Sequence, residues 1–138
     1  MDTNILLDTN IIMDLFDANR ITHKSSLKLV KEFLENEAIL YVNTDTLTTS
    51  FYLLRSLKKA TLEESLYALR EITKICEIIS IELKDIDKAL SLCEDINSPY
   101  KNYEDAMQYI CAKKVNANII VTNDKKFISK DISIIHTK

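Results

Sequence analysis

Three aspartates occupy positions where side-chain chemistry is expected. Asp8 stands directly behind the apolar run Ile5-Leu6-Leu7, and Asp124 follows Ile119-Ile120-Val121-Thr122-Asn123. Asp105 lies near the start of a helix-like stretch from about Asn102 to Lys114. An ionised carboxylate beside a core strand costs desolvation energy unless a cation or hydrogen-bond donors meet it. If such groups gather, repulsion adds to that cost: two unit charges about 4 Å apart repel by about 4 kcal/mol at an effective dielectric of about 20. The carboxylates then take up protons or hold a cation. Oxygen ligands without a His or Cys companion favour Mg²⁺ or Mn²⁺ over zinc. Ions of that kind activate water and neutralise charge developing on a phosphate. His23 and His136 fall outside the set and are expected to be surface or structural residues.

Each acid also has an ordinary role available. Asp105, with Glu104 beside it, suits the first turn of a helix through the dipole. Asp124 in Thr-Asn-Asp-Lys suits a turn, and Asp8-Thr9-Asn10 can cap a following helix. Their joint placement, which depends on the elements that carry them, is what favours a functional reading.

Apolar, β-branched runs at Ile5-Leu6-Leu7, Ile39-Leu40-Tyr41-Val42, Ile78-Ile79-Ser80-Ile81, Ile119-Ile120-Val121 and Ile132-Ser133-Ile134-Ile135 read as about five strands. Helical spacing groups Leu27, Val30, Phe33 and Leu34, then Leu47, Phe51 and Leu54, then Leu66, Leu69 and Ile72, then Ile86, Ala89, Leu90 and Cys93. Thr61-x-x-Glu64 is a capping-box signature. A fifth group, Ala106, Tyr109, Ile110 and Lys113, has Asn102 as its expected cap. This alternation predicts an α/β fold, a three-layer α/β/α sandwich around a mostly parallel sheet. The strand order is open. In such folds sites form beyond the carboxyl ends of the strands, and the crossover helices begin at that same edge. Asp8, Asp105 and Asp124 are therefore expected on one rim.

The 138 residues, 46% of them hydrophobic, suit a single domain over 1–138. No run approaches the length of a membrane span, and Asp2 stands where a secretory signal would be basic, so the expected location is cytoplasmic. With no glycine in the chain, a glycine-rich phosphate loop is excluded. Cys76, Cys93 and Cys111 lack disulfide or zinc spacing and read as buried free thiols. The net charge of −3 argues against indiscriminate nucleic-acid binding, although Arg55, Lys58, Lys59, Lys125 and Lys126 could form a local basic face. Phe16, Ile21 and Tyr52 could line a partner groove but are expected in the core.

LLDTNIIMDLF, YEDAMQY and IIVTNDKKF, in that order across nearly the whole chain, resemble the PIN domain, and the size resembles VapC-type toxin ribonucleases. The resemblance implies an α/β/α metal-dependent endoribonuclease acting on RNA, often a dimeric toxin held by an antitoxin, with Mg²⁺ or Mn²⁺ on its acids. It makes Asp8, Asp105 and Asp124 ligands, Asn10 the polar neighbour of Asp8, and Thr122 and Asn123 shapers of the turn. One position departs: where many PIN domains carry a glutamate, this chain has Thr49. A hydroxyl there can bond a metal-bound water but brings no charge, so a second ion would bind more weakly. Asp45, Glu104 and Asp14 are the candidates to compensate. The rival readings are a degenerate PIN-like module binding RNA or protein, and a phosphoacceptor or haloacid-dehalogenase-like domain. The dehalogenase type expects an aspartate where Asn10 stands.

Overall fold

The computed structural model describes residues 3–138. In chain order the elements are β1 (Asn4–Leu7), α1 (Thr9–Phe16), α2 (His23–Glu35), β2 (Ile39–Asn43), α3 (Thr44–Ser56), α4 (Leu62–Ile75), β3 (Cys76–Ile79), α5 (Leu83–Glu94), α6 (Tyr103–Lys114), β4 (Ile119–Thr122) and β5 (Ser133–His136). The five strands form one parallel sheet in the order β3-β2-β1-β4-β5. The central strand is β1, with Ile5 paired to Leu40 on one side and to Ile119 on the other.

Successive residues of a strand face opposite sides, so a strand covered on both faces must be apolar at every position. Leu6 and Ile120 pack with Ala106, Met107 and Cys111 of α6 and Ala89 of α5. Ile5, Leu7 and Val121 pack the other way, against Ile11 and Ile12 of α1, Val30 of α2 and Ile72 of α4. A smaller cluster of Met13, Leu54, Ala60 and Ala68 joins α1, α3 and α4. The result is the expected α/β/α sandwich.

Several boundaries and faces differ from expectation. The third strand begins at Cys76 and ends at Ile79, two residues earlier than the apolar run suggests. Cys76 ends α4 and enters the sheet without a loop, opposite Leu40, while Ile81 turns away to donate its N–H to Thr44 Oγ1 at 3.3 Å. On α4 the buried residues are Ser65, Ala68 and Ile72, which leaves Leu66 51% exposed. α6 is buried over most of its circumference, because the sheet, α5 and the β5 segment enclose it. Ile21 and Tyr52 are exposed rather than core. Cys76 and Cys111 are buried free thiols, whereas Cys93 is only half-buried. Thr61 and Glu64 do form the capping box of α4, and Asn102 does cap α6.

Candidate active site

The sheet order reverses direction around β1. β1 leads through α1 and α2 to β2 on one side, while β4 lies on its other side, and a crevice opens beyond the carboxyl ends of β1 and β4. Asp8 and Asp124 stand at that crevice. The Asp8 N–H donates to Val121 O at 2.9 Å, which carries the β1–β4 pairing one residue past the strand and fixes the Asp8 backbone.

Four donors meet the Asp8 carboxylate. Oδ1 accepts from the Thr9 N–H at 2.8 Å and from Gln108 Nε2 at 3.1 Å. Oδ2 accepts from Thr122 Oγ1 at 2.9 Å and from Asn10 Nδ2 at 3.2 Å. Asn10 also receives the Asn123 N–H on Oδ1 at 3.0 Å, and Thr122 Oγ1 receives the Asp124 N–H at 3.0 Å. Asn10, Thr122 and Asn123 thus tie the turn after β4 to the end of β1. Asp124 closes the turn by accepting the Lys126 N–H at 2.9 Å. Asp105, in the first turn of α6, has its N–H capped by Asn102 Oδ1 at 3.2 Å.

The electrostatics identify these acids as neighbours. Burial, offset in part by its donors, leaves the Asp8 carboxyl above the usual carboxylate range, and the charge of Asp124 adds to the rise. Burial and then the charges of Asp8, Asp124 and Glu104 push Asp105 up to about 6. Among the described residues no Lys, Arg or His pairs with Asp8, Asp105 or Asp124. Nor do any three Asp, Glu, His or Cys side chains among them close up as a preformed metal cage. The donor chemistry, hard oxygens under mutual repulsion without a cationic partner, is of the kind that suits a hard divalent cation.

Of the carboxylates named as substitutes for the missing acid, Asp14 alone lies away from the cleft at Thr49. Asp14 is fully buried below the site, where it accepts from Arg20 Nε and Thr22 Oγ1 at 2.7 Å each, from Ser26 Oγ, and from Asn123 Nδ2 at 2.9 Å. Burial raises its carboxyl and these four partners outweigh the rise, holding it below the usual value. Its role is to brace the turn before Asp124. Asp45 and Glu104 are exposed at the mouth of a cleft of about 270 Å³ beside Asp8, lined also by Thr9, Thr46, Thr49 and Gln108. A larger cleft, about 450 Å³, lies between α1, α3 and α4 around Phe16, Leu54 and Tyr67 and holds none of the three aspartates.

Of the basic residues, Arg55 donates to Ala60 O at 3.1 Å and Lys58 lies 3.8 Å from Asp17, so both serve the α3–α4 connection. Lys125 and Lys126 are exposed beside the acids. His23 is structural, its Nδ1 2.6 Å from Asp14 O, and His136 is exposed at the end of β5. Sequence reasoning missed Gln108 and Asn43. The available signal was a polar residue between Met107 and Tyr109 in a helix buried on nearly every side.

Comparison with known proteins bears on the family. The PIN domain family model matches residues 5–132. Ribonuclease VapC1 of Aquifex aeolicus (strain VF5) is 34% identical over 134 residues, covering 97% of this chain and 90% of the relative. The DNA-bound VapBC structure from Salmonella typhimurium superposes with a TM-score of 0.71 at 16% identity over 99% of both chains. A toxin-antitoxin complex from Klebsiella pneumoniae gives 0.67 at 19% identity, over 97% of this chain and 98% of the other. With its acids at the β1–β4 crevice and a family match along nearly its whole length, the chain belongs to the PIN domain family.

Proposed function

We propose that the chain, as one PIN-like domain over 1–138, is an endoribonuclease that hydrolyses RNA phosphodiester bonds with Mg²⁺ or Mn²⁺, and that it is the toxin of a toxin-antitoxin pair. The observation that carries the reading is the set of three acids at one crevice without a cationic partner. The identity to Ribonuclease VapC1 supports the reaction type. A bound divalent ion supplies an activated water and neutralises charge on the scissile phosphate.

The chain's own residues do the rest. Asp8, Asp105 and Asp124 would hold the ion. Asn10 and Thr122 orient Asp8, and Asn123 fixes the turn that presents Asp124. Lys125 and Lys126, exposed on that turn, face the phosphate backbone of the RNA. A protein partner, whether an antitoxin or a second copy, would find apolar contacts at Tyr52, Leu57, Leu62 and Tyr67, all more than half exposed on or beside α3 and α4.

Single-stranded RNA cleavage in Mg²⁺ or Mn²⁺ tests the reading. Asp8→Asn and Asp124→Asn are expected to lose at least about 100-fold in rate, and undiminished cleavage by either variant rejects its place as a ligand. One observation favours a second reading, a binding module without turnover: the hydroxyl-lined cleft at Thr49, where the family pattern has a glutamate. That reading requires no cleavage and no Mn²⁺ binding at millimolar metal.

A further inference from the structure

Arg20 lies in the connection between α1 and α2, and that connection is fastened to the carboxyl edge of the sheet. Ser25 Oγ donates to Thr137 O at 2.8 Å just past β5, and Asn123 Nδ2 donates to Asp14 Oδ2 at 2.9 Å. The connection therefore stands beside the turn that carries Asp124. Its backbone is set as well, since the Arg20 N–H donates to Asp17 O at 3.2 Å and the Arg20 carbonyl accepts the His23 N–H at 3.1 Å.

The guanidinium is held by one nitrogen. Arg20 Nε donates to Asp14 Oδ1 at 2.7 Å, and among the described residues neither Nη has a partner. The carboxylate has no place left for them: Thr22 Oγ1 also takes Oδ1, while Ser26 Oγ and Asn123 Nδ2 take Oδ2. An arginine that served only to neutralise a buried carboxylate would be expected to set its fork on both oxygens. Here neutral donors fill the second oxygen, and the outer N–H groups of the fork are unused. With the Asp14 side chain fully buried and that of Arg20 32% exposed, the ion pair shows solvent its positive end. Arg20 Nε and Asn123 Nδ2 sit on the two oxygens of the same carboxylate, so that end lies close to the residue preceding Asp124.

The charge around the crevice is lopsided. Lys125 and Lys126 are exposed on the β4 side with Arg20, whereas Asp45 and Glu104 are exposed at the mouth of the cleft on the β2 side. A polyanion crossing the acids is drawn to the first side and repelled from the second.

We propose that Arg20 is an RNA-binding residue whose free Nη pair takes a backbone phosphate adjoining the one that is cleaved. The planar fork matches two phosphate oxygens, and the bond to Asp14 holds it in place before RNA arrives, so little side-chain freedom is lost on binding. The proposal rests on the ribonuclease reading above and adds a substrate contact on the β4 side of the acids.

Arg20→Lys is the discriminating variant. A lysine ammonium can still pair with Asp14, but it then has no second nitrogen to offer a phosphate. Labelled single-stranded RNA is titrated into the full chain in EDTA, where no metal-dependent cleavage occurs, at a series of salt concentrations. The variant is expected to bind about tenfold more weakly, with a slope of log affinity against log salt smaller by about 0.7, the share of one single-strand phosphate. In Mn²⁺ its KM for RNA should rise by a similar factor with kcat unchanged, a split that a loss of fold would not give. Equal affinity and equal slope in a folded variant overturn the assignment, and cleavage by both proteins at the same KM then leaves the ribonuclease reading standing. Weaker binding by the variant, with no cleavage by either protein, supports the phosphate contact and sinks the ribonuclease reading instead. No RNA binding by the wild type overturns the assignment too. If Arg20→Lys does not fold, phenylglyoxal modification of the wild type decides. RNA is expected to protect Arg20 and not Arg70, which is exposed on α4, and equal labelling of Arg20 with and without RNA overturns the proposal.

Discussion

Asp105 is the acid whose environment most opposes its charge. Its folded-state value of about 6 stands above the ordinary 3.8, so between those values the folded chain binds more proton than the unfolded one. Stability therefore falls as pH rises through that window, and the penalty is complete above pH 6. Asp105→Asn, which cannot ionise, is expected to melt higher than the wild type at pH 7.5 without metal, and the gain should vanish near pH 4. Thermal melts at the two pH values check this, and an equal shift at both would remove charge as the cause. These acids were legible in the sequence because each sits one step past a strand or at a helix start, a local signal that the topology turns into a meeting point. The whole set of donors on Asp8 was not. Gln108 bonds across 100 positions of sequence, and no local pattern encodes a contact at that range. Asp14 looked available for metal and instead braces Asn123, because burial among four donors satisfies it completely.

Among the elements, helix ends show what a chain without glycine must do. Glu37, Lys59 and Asn116 follow α2, α3 and α6 with φ of 60°, 59° and 53°, the left-handed region that glycine adopts without a Cβ clash. After α2 the Ala38 N–H reaches back to Phe33 O at 3.0 Å, and after α6 the Ala117 N–H reaches Ala112 O at 2.8 Å, so the turns are of the Schellman type. Asparagine tolerates the conformation, whereas glutamate and lysine do so at a cost of about 1 kcal/mol each. Glu37→Gly is expected to stabilise the chain by about 1 kcal/mol, read as a higher urea midpoint with an unchanged slope. A lower midpoint would show that the Glu37 side chain contributes more than its backbone costs. Element types were legible because periodicity and caps are local; the box at Thr61 and Glu64 and the cap at Asn102 formed as read. Faces were less so. Leu66 looked like core on spacing alone, but the small residues Ser65 and Ala68 are what let α4 approach its neighbours.

At the scale of the whole molecule, the acids act as a standing repulsion that a ligand can relieve. Metal that binds only the folded chain stabilises it by mass action, about 2.7 kcal/mol at 100 times the dissociation constant. Saturating Mn²⁺ is therefore expected to raise the Tm of the wild type by roughly 10 °C, with reversal by a chelator and a much smaller rise for Asp8→Asn. An equal rise in that variant would place the ion elsewhere. The strand order, which the sequence left open, is what brings residues 8 and 124 together, with β4 next to β1 although about a hundred residues separate them. That arrangement also has a temporal side. During synthesis the first strand leaves the ribosome long before Gln108, and β4 with Thr122 and then Asp124 arrive later still. A nascent chain cannot assemble the crevice until Asp124 has emerged, so the acids stay apart through the synthesis of everything between the first strand and the fourth.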